Sequence, residues 1–349
     1  MTPGAFEFSL ADRLRYGAAF MLEHLITGYE EPNRLVRSIK RQGARRVFKR
    51  VGADAPESDP TRLPPIAEVG ADIPVEEFRR EYMWKCQPVI IRGLARDWPC
   101  VQKWTPQFFY DKYASAEIAL HDNEGLVSPD AEQRFESETL GSYLQRLEKG
   151  RGGKYLKFSQ FLYQHPELMD DLNLDVLRRM QGNLTAHADY QFFIGGQGNF
   201  TPMHCGLPGN LFIQVYGKKT WLVYPSRAYP AIDPPAARMF YFYSHVDPYR
   251  PDRESYPLFP LVGGFTVALE AGDLFWNPPF WWHCVSNDTD SISIAYRFNS
   301  LRLALRCSRL LTAASFMATK PTIVHHALKL FLKGEKYHLT EKYSRKLRA

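Results

Sequence analysis

Alternating apolar and polar positions mark the middle of the chain from about residue 185 onward. Short apolar stretches recur between turn-forming residues, and they read YQFFIGG, NLFIQVYG, KKTWLVYP, FTVALEAGDLFWNPP, FWWHCVSND and SISIAYRF. Alternation with a period of two, over short stretches separated by turns, predicts the strands of an antiparallel barrel or sandwich. We therefore expect an all-β core in this part of the chain.

The N-terminal region instead has the spacing of helices. Ser9 and Asp12 are placed as a capping box, and the stripe that follows consists of Leu10, Leu14, Ala18, Leu22 and Leu25. A second helix is predicted where apolar residues alternate with basic ones, namely Leu35, Val36 and Ile39 among Arg34, Arg37, Lys40 and Arg41. Two interpretations stay open: a solvated basic face, or a docking surface for an acidic partner, a membrane or nucleic acid.

Changes of pattern divide the chain into three regions. The Pro-rich stretch GADAPESDPTRLPP predicts a linker, and the helix PVEEFRREYM and the strand PVIIRGL follow it. Helical spacing returns near the end, through Leu301, Leu305, Leu310, Ile323, Leu328, Leu330 and Leu332. We predict a basic helical arm and linker at residues 1–60, a β-rich domain at 61–300 and a basic helical region at 301–349.

The net charge of +6 is concentrated at the two ends of the chain. Residues 1–52 carry a net +5 and residues 301–349 a net +9, which leaves −8 for the segment between them. Basic ends suit an acidic carrier protein. They would also suit nucleic acid, but no nucleic-acid-binding motif accompanies them, so we do not expect such a partner.

Apolar runs and cysteines bear on the cellular location. The longest uncharged apolar run near the N-terminus, YGAAFML, is too short to span a bilayer. The chain has five cysteines without CxxC spacing: Cys86, Cys100, Cys205, Cys284 and Cys307. Such an odd, scattered set indicates neither a secreted disulfide framework nor a zinc ribbon. We expect a cytoplasmic protein without a transmembrane segment.

The stretch NFTPMHCGLPGNLFIQVYGKKTW, at residues 199–221, contains an incomplete metal-binding pattern. A histidine, an acid two residues later and a distant second histidine form the face that holds Fe(II) in non-haem oxygenases. His204 and His283 supply the two histidines, but Gly206 stands in the place of the acid.

Strand parity adds polar groups to this site. In an extended NLFIQVY, Asn210 and Gln214 share one face and could line a cavity. Gly217 and Lys218 predict a two-residue type II′ hairpin, after which Lys219 points to one side of the return strand. A lysine directed into a barrel needs a negative partner. We therefore expect an anionic ligand, such as a carboxylate, beside Lys219.

Cysteines beside the two histidines raise an alternative. Cys205 and Cys284 each follow a histidine directly, which is the order expected of a His-Cys zinc site. Adjacent residues of a strand point to opposite faces, however, so the cysteines cannot readily join both histidines on one metal. Parity thus disfavours zinc.

These motifs resemble the JmjC or cupin-like oxygenases that use Fe(II) and 2-oxoglutarate, and among them the asparaginyl hydroxylase of hypoxia-inducible factor. The similarity covers about residues 64–300, through PVIIRGLARDWPCVQKWTPQFF, NFTPMHCGLPGNLFIQVYGKKTWLVYP, SHVDPYRPDRESYPLF and AGDLFWNPPFWWHCVSN. The resemblance implies a mainly β fold, with a double-stranded β-helix of the cupin or jelly-roll type and flanking helices. It makes residues 61–300 a JmjC/cupin-like catalytic domain.

Site residues follow from the resemblance position by position. His204 and His283 match the iron ligands, and Lys219 matches the lysine that binds the far carboxylate of 2-oxoglutarate. Thr201 matches an assisting hydroxyl, and Asn210 a polar residue beside the cosubstrate. The implied cofactors are Fe(II), 2-oxoglutarate and O2. A homodimer through residues 301–335 is also implied.

Gly206 departs from the family pattern and leaves three functions to weigh. A radical halogenase, with chloride or bromide beside Gly206, is the favoured expectation, because related halogenases have a small residue there. A hydroxylase, with water or a carboxylate such as Asp189 or Asp273 completing the iron site, is the second. A non-catalytic binding protein is the third. The substrate would be a small molecule, amino acid or peptide with an aliphatic C–H bond, including one tethered to a carrier.

Overall fold

The computed structural model describes residues 8–26, 34–51, 58–121, 135–147, 149–150, 153–185, 188–236 and 241–318. The strands are β1 (Glu68–Gly70), β2 (Val89–Arg92), β3 (Glu117–His121), β4 (Phe135–Thr139), β5 (Leu156–Ser159), β6 (Asp189–Gly195), β7 (Phe200–Gly206), β8 (Gly209–Tyr216), β9 (Lys219–Tyr224), β10 (Tyr241–Tyr243), β11 (Phe265–Leu269), β12 (Leu274–Asn277), β13 (Trp282–Asn287) and β14 (Ser291–Phe298). The helices are α1 (Leu10–Ile26), α2 (Arg34–Val51), α3 (Val75–Phe78), α4 (Pro99–Lys103), α5 (Pro106–Tyr113), α6 (Leu140–Arg146), α7 (Phe161–Gln164), α8 (Leu174–Gln181), α9 (Tyr229–Ile232), α10 (Leu301–Cys307) and α11 (Arg309–Ala318).

Two facing sheets carry the site. The larger has the order β1-β2-β12-β8-β14-β6-β5, and the smaller has the order β10-β7-β13-β9-β11. An aromatic cluster that includes Phe193, Phe212, Trp221 and Phe275 fills the space between them. This arrangement confirms the predicted mainly β, jelly-roll core with flanking helices. The predicted strand stretches correspond to β6, β8, β9 and β11 to β14, whereas β7 and β10 were not predicted.

The connection between β8 and β9 differs from the prediction. Gly217 does adopt the left-handed φ of +72° that a tight turn requires. The two strands do not pair, however, because β8 lies between β12 and β14, whereas β9 lies between β11 and β13. The predicted hairpin is therefore wrong, and the turn takes the chain from the larger sheet to the smaller one.

The N-terminal helices pack against the outer face of the smaller sheet. Tyr16 and Phe20 of α1 share an apolar cluster with residues of β10 and β13. Lys40 of α2 is buried, and its Nζ lies 2.7 Å from Glu23 Oε2 and 2.8 Å from Asp233 Oδ1. An ion pair at this depth fixes the position of the arm, since separating its members would leave buried charges uncompensated.

The predicted stripe of α1 does not face the core at Leu10, Leu14, Ala18 and Leu22, the positions whose side chains the structure describes. The helix and its cap are confirmed, because the Asp12 amide donates to Ser9 Oγ at 3.1 Å. Leu10 and Leu14 are nevertheless 65% and 64% exposed, while the aromatic side of the helix is buried. Aromatic rings bury more apolar area than leucines, which accounts for this choice of face.

A disulfide, not predicted from the sequence, joins the β region to the C-terminal helices. Cys86 follows α3, Cys307 ends α10, and their Cα atoms lie 5.6 Å apart. Arg306 of α10 also donates a hydrogen bond to the Trp84 carbonyl. The predicted helices after residue 318 lie outside the described residues. None of the described helices is long and apolar enough to cross a membrane; a cytoplasmic location stays a prediction.

Candidate metal centre

The two histidines lie directly opposite each other on neighbouring strands. His204 of β7 is in register with His283 of β13, and their ring centroids are 4.1 Å apart. His204 Nδ1 donates to the Pro202 carbonyl oxygen at 2.8 Å, and His283 Nδ1 donates to the Trp281 carbonyl oxygen at the same distance. Both Nε2 lone pairs are therefore left for a ligand, which is the tautomer of metal-binding histidines.

Burial keeps both imidazoles neutral. The pKa of His283 is lowered to about 4, mainly by burial. Burial also holds the pKa of His204 well below its usual range, and the neighbouring His283 lowers it further. Since a histidine must be neutral to bind a metal, this environment suits metal binding at neutral pH.

A bulge in β7 brings Thr201 to the same side as His204. Simple alternation would place residues three apart on opposite faces. Opposite the His204–Thr201 segment, however, β13 advances only from His283 to Val285. The extra residue on β7 turns Thr201 inward, opposite Val285, which belongs to the interior cluster.

Lys219 lies inside the barrel, as parity predicts. It is 1% exposed, and its Nζ donates to the hydroxyl of Tyr155 at 2.7 Å. The rings of Phe193 and Phe212 lie 5.6 Å from the Nζ atom. Burial lowers the pKa of Lys219 to about 7, although Asp288 acts in the opposite direction. An incoming carboxylate would restore the charged form of this lysine.

Polar residues form a row across the larger sheet beside the histidines. Arg297 of β14 is in register with Asn210 of β8, which is in turn in register with Asn277 of β12. All three line one cavity together with His204 and His283. The Oδ1 atoms of both asparagines are buried without a hydrogen-bond partner. Such unpaired polar atoms are rare in native cores and indicate a ligand site.

Gly206 faces this cavity, and the ring of Tyr241 covers it. A Cβ atom at position 206 would lie 2.7 Å from Tyr241 Cε1 and 3.3 Å from Pro208 Cδ. The Tyr241 hydroxyl accepts a hydrogen bond of 2.8 Å from Arg297 Nη1. The cavity has a volume of about 20 Å³, which is room for one water molecule.

Neither acid suggested for completing the iron site reaches it. Asp273 is bound in a turn, where it accepts from Arg92 Nη1 at 2.6 Å and from the Gly93 amide at 2.9 Å. Asp189 accepts hydrogen bonds from Tyr163 and Gln191. Within the described part of the chain, no three histidine, cysteine or acidic residues are grouped to hold a metal.

The zinc alternative fails for the reason that parity gave. Cys205 and Cys284 are buried in the apolar cluster on the outer face of the smaller sheet, with Trp282 between that sheet and the N-terminal arm. They point away from the cavity that the histidines line. A zinc site made of both histidines and both cysteines is therefore excluded.

Four residues of the site were not predicted from the sequence. Tyr155 and Tyr241 come from segments without a recognisable motif, whereas Asn277 lies within the motif AGDLFWNPPFWWHCVSN but was not singled out. Arg297 could have been found by parity, because the apolar residues of SISIAYRF share one face and leave the arginine on the other.

Comparison with known proteins identifies the fold family. A model of the cupin-like domain matches residues 74–302, which is more than half of the chain. The chain belongs to the cupin-like domain family. The family match covers all strands from β2 to β14, and with them both histidines, so the expected kinship with JmjC and cupin-like Fe(II)/2-oxoglutarate oxygenases is confirmed.

Several curated members of the family are similar at low identity. Lysine-specific demethylase 8 of Xenopus tropicalis is 24% identical over 268 residues, 73% of this chain and 59% of that protein. JmjC domain-containing protein 5 of Drosophila melanogaster is 25% identical, over 70% of this chain and 65% of its own length. The human bifunctional peptidase and (3S)-lysyl hydroxylase JMJD7 is 22% identical over 64% of this chain and 80% of its own length. The chain thus spans less than two thirds of the first two relatives.

Proposed function

We propose that this cupin-like protein is a non-haem Fe(II)/2-oxoglutarate-dependent enzyme that oxidises an aliphatic C–H bond, as a hydroxylase. The observation that carries the proposal is the pair of opposed, neutral histidines, each with Nδ1 donated to a backbone carbonyl and Nε2 directed away from it. His204 and His283 would hold the iron. When bound, iron and 2-oxoglutarate would supply the oxidising power, with O2 as oxidant.

Lys219, Tyr155 and Thr201 would hold the far carboxylate of 2-oxoglutarate. The Lys219–Tyr155 hydrogen bond offers two adjacent donors at the aromatic end of the barrel interior, and the bulge adds the Thr201 hydroxyl on the same inner surface. Phe193, Phe212 and the other aromatic residues of the interior exclude water from this end. Asn210 would face the other end of the cosubstrate.

The missing acid decides between hydroxylation and halogenation. Hydroxylation requires only that water or another ligand occupy the iron coordination position that the acid fills in the family pattern. A halide beside Gly206 would require the Tyr241 ring to move aside, and the names of the relatives mention demethylation and hydroxylation but not halogenation. We therefore favour the hydroxylase over the halogenase.

Halogenation stays as a second candidate because of one observation. The Arg297 guanidinium lines the same cavity as Gly206, and a cation beside an absent carboxylate is suited to an anion such as chloride or bromide. In this case the Tyr241 ring must move aside. Lys219 and the histidines would have the same roles as in the hydroxylase.

Substrate and partners are proposed on less specific grounds. The names of two relatives mention lysine demethylation and (3S)-lysyl hydroxylation. These names support an amino-acid or peptide substrate, and the basic ends suit an acidic carrier. A homodimer through residues 301–335 remains a proposal, which light scattering would test.

Spectroscopy of the anaerobic protein tests the proposal. We would add Fe(II) and 2-oxoglutarate and record the visible charge-transfer band, first without and then with chloride. A band that ignores chloride supports the hydroxylase, and a band that chloride shifts supports the halogenase. Absence of a band from folded protein would refute both and favour a non-catalytic binding protein.

A further inference from the structure

Arg297 is a buried cation in the wall of the candidate metal cavity. Its side chain emerges from β14, on the strand face that also carries Ser291 and Ser293, and the residue is 8% exposed. Asn210 and Asp189 are its register partners on the two neighbouring strands. Arg297 lines the same cavity as His204 and His283. Consistent with this position, it contributes to the lowered pKa of both His204 and His283.

The groups in direct contact with the guanidinium are uncharged, but its charge reaches Asp189, where burial raises the pKa of the carboxyl and Arg297 acts in the opposite direction. Nη1 donates to the Tyr241 hydroxyl at 2.8 Å, and the guanidinium carbon lies 5.3 Å from the Phe158 ring centroid. The nearest acid along the sheet, Asp189, accepts instead from the Tyr163 hydroxyl and the Gln191 amide, each at 3.1 Å. Among the described residues Arg297 forms no ion pair. No carboxylate contacts this buried guanidinium directly, and a ligand carboxylate in the cavity would provide such a contact.

Unpaired amide groups adjoin this cation. Asn210 and Asn277 are each 4% exposed, and their Oδ1 atoms have no partner. The Nδ2 atom of Asn277 lies 3.3 Å from His283 Nδ1, whose hydrogen is directed to the Trp281 carbonyl. Rotating the Asn277 amide by half a turn places its oxygen beside that N–H group and turns its NH2 group into the cavity. Arg297 and Asn277 would then present converging donors.

Lys219 cannot serve the same anion. It contacts Phe212, which is two residues along β8 from Asn210, the register partner of Arg297. Two residues of a strand correspond to about 7 Å. Arg297 and Lys219 therefore lie at different depths of the barrel, and of these two Lys219 suits the cosubstrate. A further buried lysine, Lys157, has its Nζ 5.7 Å from the Tyr155 ring centroid.

We propose that Arg297, assisted by Asn277, binds a carboxylate of the substrate beside Gly206. Arginine suits this task because its planar fork matches a carboxylate with two parallel hydrogen bonds. The ligand carboxylate would stand near the space that an acidic side chain at position 206 would fill, once Tyr241 gives way. This inference rests on the proposed function and names its substrate class, a small carboxylic acid such as an α-amino acid.

Thermal denaturation of the full-length, metal-free protein tests the proposal. The probes are α-amino acids and short aliphatic carboxylic acids, each paired with its neutral carboxamide, and 2-oxoglutarate is measured separately. We expect at least one acid to raise the melting temperature while its carboxamide does not. Arg297→Gln should weaken the apparent affinity for that acid by about tenfold or more, since a charge-assisted hydrogen bond is lost.

Matched variants separate the two cations. Lys219→Gln should keep the response to the acid and lose the response to 2-oxoglutarate, whereas Arg297→Gln should do the reverse. Tyr241→Phe should keep the response to the acid, because it frees Nη1 without removing the guanidinium. If Arg297→Gln does not fold, Arg297→Lys, which retains charge but not the planar fork, should show the same loss of affinity.

Three results would overturn the proposal. They are an acid response that survives in both Arg297 variants, a response that Lys219→Gln removes, and a panel in which no acid stabilises the wild-type protein. The charge-transfer band with Fe(II) and 2-oxoglutarate is an independent readout of the proposed function. Acid binding through Arg297 without that band would refute the enzyme and leave the carboxylate site standing.

Discussion

Tyr241 and Gly206 lie opposite each other on β10 and β7, with the tyrosine ring over the glycine. A single methyl group at position 206 would approach Tyr241 Cε1 to 2.7 Å, closer than any ordinary contact. The absence of an acid at this position is thus matched by a bulky neighbour. The two residues form one packing unit, and the hydroxyl of the ring is held by Arg297.

Gly206→Ala should destabilise the protein by about 1–3 kcal/mol, because the added methyl group overpacks the interface with Tyr241. Urea unfolding measures this loss. Combining Gly206→Ala with Tyr241→Ala should recover part of it. Gly43→Ala is a matched control, since nothing lies within 4 Å of a Cβ there and Gly43 is within α2. It should stabilise the protein by about 0.5–1 kcal/mol. An unchanged free energy of unfolding in Gly206→Ala would contradict tight packing between Gly206 and Tyr241.

Removal of either cavity histidine should abolish tight iron binding. Loss of a residue that merely supports a metal ligand costs about 10–100-fold in affinity, so we expect His204→Ala and His283→Ala each to exceed about 100-fold. Anaerobic Fe(II) titration measures the change. His24 is a matched control, because it is buried, has its pKa lowered to about 4 and bonds through Nδ1 to a backbone carbonyl, yet belongs to α1. His24→Ala with the same loss of iron would refute the site.

Binding of 2-oxoglutarate should take up a proton above neutral pH. Burial lowers the pKa of Lys219 to about 7 from its ordinary 10.5, so the free protein holds a neutral lysine between these values. A bound carboxylate favours the charged form and raises this pKa again. The affinity should therefore fall about tenfold per pH unit above 7 and be constant below it.

Calorimetry in two buffers of different ionisation enthalpy measures this proton uptake. In Lys219→Gln, binding should be weak and should no longer depend on pH. Tyr155→Phe, which removes the hydrogen-bond partner of Lys219, should weaken binding by about 2–10-fold, as expected for one neutral hydrogen bond. A wild-type affinity that is constant between pH 7 and pH 9 would show that Lys219 does not meet the cosubstrate.

Reduction of the disulfide should lower the free energy of unfolding. Cys86 and Cys307 are separated by 221 residues, so their bond restricts a long loop of the unfolded chain. We expect a loss of about 2–4 kcal/mol, measured by urea unfolding with and without reductant. Cys86→Ser should show this loss without reductant and no further change with it. Equal stability of the oxidised and reduced wild type would contradict a bond at this position.

The local pattern of apolar and polar residues predicted most helices and strands, but it did not predict which strands pair with each other. The strands β6, β8, β9 and β11 to β14 and the helices α1 and α2 follow from periodicity, because a period of two or 3.6 reflects one buried face. The strands β7 and β10 were not predicted. Gly217 correctly predicted a turn, yet a turn has the same local chemistry whether its strands pair or enter different sheets. The residues of the turn could not distinguish a hairpin from a connection between two sheets, and the hairpin was the wrong prediction.

The site was predictable only where a motif is contiguous. His204, Asn210 and Lys219 lie within 16 residues of sequence, and parity alone placed the lysine inside the barrel. Thr201 reaches the same surface through a bulge, which simple alternation does not predict. Tyr155 and Tyr241 come from distant segments and meet the site only through tertiary packing, so no local signal marks them.

The residues proposed to bind the metal and those proposed to bind the substrate carboxylate lie on different sheets. Both histidines, Lys219 and Thr201 belong to the smaller sheet, while Arg297, Asn210 and Asn277 belong to the larger one. A change of substrate during evolution could therefore exchange side chains on one wall and leave the metal and cosubstrate residues of the other wall intact. For an engineer, positions 277 and 297 form a short library of sites at which specificity could be altered without redesigning the oxidising machinery.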